Sequence, residues 1–181
     1  MPNYCNNHAN IYGSVEKIKA IADVINSNSE KGLFESLVPE CEDWGCKWDV
    51  SIRGAYIDIH DEEILISFET AWNSPINFFV EMAKKYKVSV NVLYDESGCD
   101  FAGEADIDEE GGLDDRCYTY LEGLYQRGSD MFYDEVRSQL DYLFEDNDEP
   151  PTKEYVEEWL HFMNQEELIE LIREYEDKLA K

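Results

Sequence analysis

Apolar and polar side chains alternate along much of the first half of the chain, and apolar residues recur every three or four positions along the second. His8–Gly13 (HANIYG) reads as a first strand closed by a glycine. Ser14 stands where an N-cap belongs, ahead of Val15, Ile18, Ile21, Ala22 and Ile25 at helical spacing. Lys31–Cys46, interrupted by Pro39 and Gly45, reads as a long loop. Trp48–Ile52 and Ala55–Ile59 alternate, Asp61, Glu62 and Glu63 read as a turn, and Ile64–Phe68 is another short apolar run. Ser74 and Pro75 open a second helix (SPINFFVEMAKKYK), with Pro75 at the favoured first position. Val88–Tyr94 is the clearest strand, with Val88, Val90, Val92 and Tyr94 sharing one face.

The order β-α-β-β-α-β predicts an α+β fold, a ferredoxin-like antiparallel sheet carrying two helices. Asp95–Asp115 then changes character, with ten acids, no bases and four glycines around Phe101, Ala102 and Gly103. A domain boundary is expected near its end, giving a ferredoxin-like domain at 1–110 and an acidic helical extension at 111–181. Asp130–Asp146 places Met131, Phe132, Val136, Leu140, Leu143 and Phe144 on one helical face, and residues 146–151 form a breaker ending in two prolines. Thr152 suits an N-cap for KEYVEEWLHFM, and Asn164 with Glu167 has the spacing of a capping box.

Charge changes the picture most. The 181 residues hold 42 acids and 15 bases, a formal net charge of -27. The excess is not confined to a tail: residues 1–110 hold 22 acids and 8 bases, and residues 111–181 hold 20 and 7. Self-repulsion on this scale destabilises a compact state. Yet aromatics make up 13% of the chain, too many for a disordered acidic one, so it is expected to fold. No apolar run is long enough to span a membrane. The opening residues lack a basic n-region and an apolar h-region, so no secretory signal is expected. The five scattered cysteines suit reduced thiols in the cytoplasm.

Three blocks carry a family resemblance: the opening MPNYCNN; Trp44-Gly45-Cys46-Lys47-Trp48-Asp49; and Phe68–Pro75 followed by Tyr94, Asp95, Glu96, Phe101 and Gly103. Residues 1–110 resemble in these respects the YubB-like family of ferredoxin-fold accessory proteins carried by plasmids and bacteriophages. Tyr4 stands where that family prefers Trp, and Ser74 where a second Pro is common. The resemblance implies a mobile-element origin and a ferredoxin-like core. It implies no catalytic residues.

Two sets of residues are candidates for a site. The first is Tyr4, Asn7, Trp44, Lys47, Trp48, Asp49, Trp72 and Glu96, read either as a ligand cleft or as a small apolar core pinning the long loop. The second is the acids themselves. Asp106, Asp108, Glu109, Glu110, Asp114 and Asp115 lie in the acidic segment; Asp141, Glu145 and Asp146 end the long helix; Glu154, Glu157 and Glu158, then Glu166, Glu167, Glu170 and Glu174, recur at helical spacing. Carboxylates three and four residues apart on a helix sit about 5–6 Å from one another, comparable with neighbouring phosphates. About 27 charges equal those of roughly 13 base pairs of duplex, some 45 Å long. A compact chain of this length is about 40 Å across.

Other chemistries are poorly supported. His8, His60 and His161 are far apart, and no GxSxG, HExxH or Walker loop is present. Asp106–Gly111 begins like an EF-hand loop, but Glu110 and Cys117 occupy its fifth and twelfth positions. The one basic cluster, Lys84, Lys85 and Lys87, is too small for a nucleic-acid stripe. The expectation is therefore a cytoplasmic, non-catalytic protein of the host cell without cofactor or metal. It would bind no nucleic acid directly. Its partner would be a basic nucleic-acid-binding host protein, such as a restriction or CRISPR effector, whose groove it occludes by mimicking DNA or RNA. The alternatives are a small-ligand-binding or enzymatic domain built on the Trp44–Asp49 and Trp72 cleft, and a scaffold with a solubilising surface. Oligomeric state stays open.

Overall fold

A computed structural model describes residues 3–146, 150–176, 178 and 179. The chain divides into two compact units, Met1–Tyr118 and Thr119–Lys181. The first holds β1 (Tyr4–Tyr12), α1 (Val15–Ser27), α2 (Leu33–Leu37), β2 (Tyr56–Ile59), β3 (Glu63–Ala71), α3 (Ile76–Tyr86), β4 (Ser89–Glu96), β5 (Phe101–Ile107) and β6 (Leu113–Tyr118). The strands form one sheet in the order β2-β3-β1-β4-β5-β6, every pairing antiparallel. Its first four strands have the ferredoxin-like arrangement, with β1 and β3 central. Strands β5 and β6 extend the sheet beyond β4.

Alternation decides which face is buried. Cys5, Ala9 and Ile11 of β1, Ile64, Ile66 and Phe68 of β3, and Val90, Val92 and Tyr94 of β4 point to the core. Ile18, Ile21 and Ile25 of α1 and Phe78, Phe79, Met82 and Ala83 of α3 complete it from the helix layer. Phe34 of α2 wedges between Phe78 at 4.3 Å and Phe68 at 5.6 Å between ring centroids. Truncating such a buried ring costs about 3–5 kcal/mol.

Four expectations need correcting. First, β1 starts at Tyr4 rather than His8, because polar Asn7 points inward and is satisfied there: its Nδ2 donates to Thr70 Oγ1 at 2.8 Å and to the Cys5 carbonyl at 2.9 Å. Second, the expected loop Lys31–Cys46 contains α2. Third, Trp48–Ile52 is no strand: it makes a single bridge, Gly32 to Ser51, and runs into a 3₁₀ turn at Ile52–Gly54. Its Asp49 side chain instead accepts the N–H groups of Phe34 at 2.8 Å and Glu35 at 2.9 Å, capping α2 from a distance. Fourth, the sheet continues past residue 110, so Leu113–Tyr118 belongs to it and the helical unit begins at Thr119.

The second unit is helical throughout its regular elements: α4 (Tyr120–Gln126), α5 (Met131–Asp146), α6 (Lys153–Trp159) and α7 (Gln165–Glu174). Leu121, Leu124, Phe132, Val136, Leu140, Val156, Leu160, Met163, Leu171 and Ile172 are buried in it. Met131, placed on the apolar face by its spacing, is exposed instead. Thr152 caps α6 through the Tyr155 N–H at 3.2 Å. Asn164 Oδ1 caps α7 through Glu166 N at 3.1 Å and Glu167 N at 3.0 Å, but the return half of the box is not made: the Asn164 N–H donates to the Tyr125 hydroxyl at 2.8 Å. Residues 147–149 of the breaker expected at 146–151, the side chain of Asp146, and Met1 and Pro2 of the opening block lie outside the described residues. No helix among the described residues is long and apolar enough to cross a membrane.

Candidate interaction surfaces

The face of the sheet opposite the helices is acidic by register. Side chains of His8, Leu93, Glu104 and Arg116 form one row across β1, β4, β5 and β6, and Asn10, Asn91, Asp106 and Asp114 form the next. The Arg116 guanidinium lies 2.6 Å from Asp106, 3.5 Å from Glu104 and 3.8 Å from Asp114, and Asn91 Nδ2 donates to Glu104 at 3.0 Å and Asp106 at 2.8 Å. Glu104 most of all, then Asp114 and Asp106, raise the Arg116 pKa. One arginine thus sits among three carboxylates.

The remaining acids of the segment have separate places. Asp115 lies on the helix-side face of β6, where its Oδ1 accepts the Tyr94 hydroxyl. Asp108 Oδ1 holds the β5–β6 turn by accepting Glu110 N at 2.9 Å and Gly112 N at 2.7 Å. Glu109 pairs with Lys17 at 2.8 Å and Glu110 with Lys87 at 2.9 Å. The EF-hand-like spacing therefore serves a hairpin.

On the helical unit, residues 119–181 hold 18 acids and 6 bases. Asp141 pairs with Lys178 at 3.2 Å, Glu157 with Lys153 at 3.5 Å, and Glu174 takes the Arg137 guanidinium on both oxygens at 3.0 and 3.1 Å. That guanidinium holds the Glu174 carboxyl below its usual range. Glu145, Glu154, Glu158, Glu166 and Glu170 are exposed and make no ion pair among the described residues. Glu167 is half-buried, and its charge adds to burial, the larger cause, in raising the pKa of the Tyr133 hydroxyl.

Several of the eight residues of the aromatic set have structural partners. Asn7 is wholly buried, and Asp49 is spent on α2. Trp44 packs edge-on against Phe34 at 5.6 Å, with its indole N–H buried and without an acceptor. Lys47 lies 5.3 Å over the Trp48 ring, which is 41% exposed. Tyr4, 52% exposed, points to the face opposite the helices. Trp72, at a left-handed φ of 73°, is tied by its N–H to the Asn3 carbonyl at 3.0 Å. Glu96 is buried, and its Oε1 accepts Gly98 N at 2.9 Å. Trp44 and Asp49 both fasten the 38–50 segment to α2. None of the eight lines any of four clefts in the structure.

Those clefts were not legible in the sequence. One of about 600 Å³ lies between α3 and residues 38–43, rimmed by Glu40, Glu42, Asp43 and Glu81. Another of about 560 Å³ lies on the acidic sheet face beside Tyr12, Asp106 and Asp114. Two smaller ones share Tyr133 and Glu167 in the helical unit. Among the thiols, burial pushes Cys5 up to about 12 and Cys46 up to about 11.

Sheet order and helix layer define a ferredoxin-like α+β protein with an added pair of strands. Residues 47–149 match the family described as the ferredoxin-like domain in Api92-like protein, and the chain belongs to that family. The match begins in the loop before β2 and runs beyond the sheet into the helical unit. No curated protein and no solved structure matches the chain.

Proposed function

We propose that this chain is a non-catalytic binding protein whose acidic surfaces stand in for a nucleic-acid backbone against a basic groove of a partner protein. The observation that carries the reading is the set of exposed carboxylates at helical spacing on α6 and α7, Glu154 and Glu158, then Glu166 and Glu170, with no cation of their own among the described residues. Their apolar neighbours Val156, Leu171 and Ile172 are buried, so the acids are what each helix presents outward. On the sheet, Glu104, Asp106 and Asp114 around Arg116 give a second acidic surface, and the guanidinium among them is the kind of contact a groove arginine would make.

The resemblance to YubB-like accessory proteins supplies a context. A plasmid- or phage-borne protein gains from blocking a DNA- or RNA-binding defence enzyme of its host cell, and an anti-restriction or anti-CRISPR inhibitor fits that need. The structural use of Asn7, Trp44 and Asp49 weighs against the small-ligand alternative.

The test is capture of partners by the tagged full chain from nuclease-treated host lysate. The reading expects one nucleic-acid-binding protein, released by salt and competed by DNA or RNA, since a charge-matched interface is screened over a Debye length of about 8 Å at physiological ionic strength. A partner held unchanged in 1 M salt would count against it.

A further inference from the structure

Two adjoining clefts in the helical unit, of about 490 and 240 Å³, share Tyr133 and Glu167. The larger is walled by Tyr125, Phe132 and Tyr133, whose successive ring centroids are 5.2 and 5.1 Å apart. Its size lies within the range of about 300–1,000 Å³ usual for pockets that hold small groups.

Glu167 is fixed at this place by the start of α7, its N–H bound to Asn164 Oδ1 at 3.0 Å. Glu167 and Tyr133 line both clefts together, and burial first, then the Glu167 charge, raises the pKa of the Tyr133 hydroxyl; Oε2 itself is buried without a hydrogen-bond donor among the described residues. A cation entering the clefts meets aromatic faces together with the negative charge of Glu167, and gains from both.

The base that lines the smaller cleft does not serve. Arg137 lines the smaller cleft and lies 5.8 Å over the Tyr133 ring, but Glu174 holds its guanidinium on both oxygens. Its charge is thereby matched, which leaves Asp130, Glu167 and Glu170 to set a negative field around the clefts. The same unit shows what this combination of groups holds. Lys178 Nζ lies 5.2 Å from the Tyr175 ring and 5.6 Å from Phe144, with Asp141 Oδ1 at 3.2 Å.

The geometry points to a pocket for one cationic side chain, a lysine or arginine presented by a protein partner, seated against Tyr125 and Tyr133 with its charge on Glu167. That the cation arrives on a protein rather than as a free amine rests on the function proposed above; the pocket's preference for a cation does not.

The experiment is an amide-shift NMR titration of the full chain with N-acetyl-arginine amide, N-acetyl-lysine amide, the uncharged N-acetyl-norleucine amide, and putrescine. One of the two basic amides is expected to bind with a Kd on the order of 1 mM, with saturable shifts centred on Ser129, Tyr133 and Glu167. Norleucine amide should leave these positions unmoved. Glu167→Gln should weaken the binding about tenfold. Should that variant fail to fold, Tyr133→Leu, which removes a ring face and keeps apolar bulk, should weaken it about fivefold.

Equal binding of norleucine amide, shifts spread over all acidic surfaces, or no saturation would overturn the pocket. Putrescine binding more tightly than both amides would overturn the side-chain source. The outcome is separable from partner capture: amide binding without a captured partner keeps the pocket and removes the mimic, and a salt-released partner without amide binding does the reverse.

Discussion

The Tyr94 hydroxyl reaches across β5 to donate a 2.6 Å hydrogen bond to Asp115 Oδ1 on β6. Gly103 lies beneath the ring, where a Cβ would fall 2.2 Å from Tyr94 Cζ and 2.3 Å from its oxygen. A glycine covered by a cross-strand aromatic is a known way of fixing strand register. Asp115, expected to face a partner, is exposed and also ties the outer strand to the sheet.

Gly103→Ala should therefore destabilise the first unit by about 1–3 kcal/mol through overpacking, read as a lowered midpoint in urea. Tyr94→Phe keeps the ring and loses the bond, and should cost about 1 kcal/mol.

Alkali should expose the same contact. Burial first, and then Asp115, pushes the Tyr94 hydroxyl far above its ordinary 10.0. The unfolded chain releases this proton at lower pH than the folded one. The contribution is thus complete below pH 10.0 and is lost as pH rises from there through the raised folded value. Urea midpoints measured between pH 9 and 11 should fall more steeply for the native chain than for Tyr94→Phe; parallel slopes would remove Tyr94 as a cause.

Asp49→Ala removes the acceptor of two α2 amide protons, from Phe34 and Glu35. A loss of about 1–2 kcal/mol is expected, with Asp49→Asn retaining part of it. A ligand-binding role would show the opposite pattern, with unchanged thermal stability in Asp49→Ala.

Thiol labelling should follow burial. Cys5 and Cys46, raised to about 12 and about 11, hold little thiolate at pH 8 and should resist iodoacetamide in the native chain. Cys99 and Cys117 are exposed, and with the Cys99 thiol raised by its bond to Glu96, Cys117 should react first, as followed by mass spectrometry.

Reversing Glu154, Glu157 and Glu158 together to Lys should weaken a captured partner more than any single change. The same triple change to Gln should have a smaller effect in the same direction. If both leave retention unchanged while Glu104, Asp106 and Asp114 reversals abolish it, the sheet face is the contact surface and the helices are not.

The central strands were readable because Val88–Tyr94 and Ile64–Phe68 bury alternate apolar side chains. Strand β5 alternates too, but its inward residues include Gly103 and Ala105, kept small beneath Tyr94 and the helix layer, so composition spoke for acidity and concealed the strand. The start of β1 carries no apolar alternation because its inward Asn7 is polar, satisfied there by the Cys5 carbonyl and by Thr70, 63 residues away. Helix α2 has five residues and borrows its cap from Asp49, a dependence no local pattern carries. The acids were identified individually from the sequence, but which face each occupies depended on strand register. Neither the Glu167 clefts nor the split between Asp114 outward and Asp115 inward leaves a periodic signal.

Strand β6 has a consequence for the chain's behaviour among its own copies. It is an edge strand, and its unpaired side would ordinarily template a neighbour's strand. Here Asp114, Asp115 and Arg116 stand at its middle, each exposed. Two copies zipping edge to edge in antiparallel register would crowd four carboxylates against two guanidiniums already engaged within each sheet. Charge at the middle of an edge strand thus disfavours growth of the sheet from copy to copy.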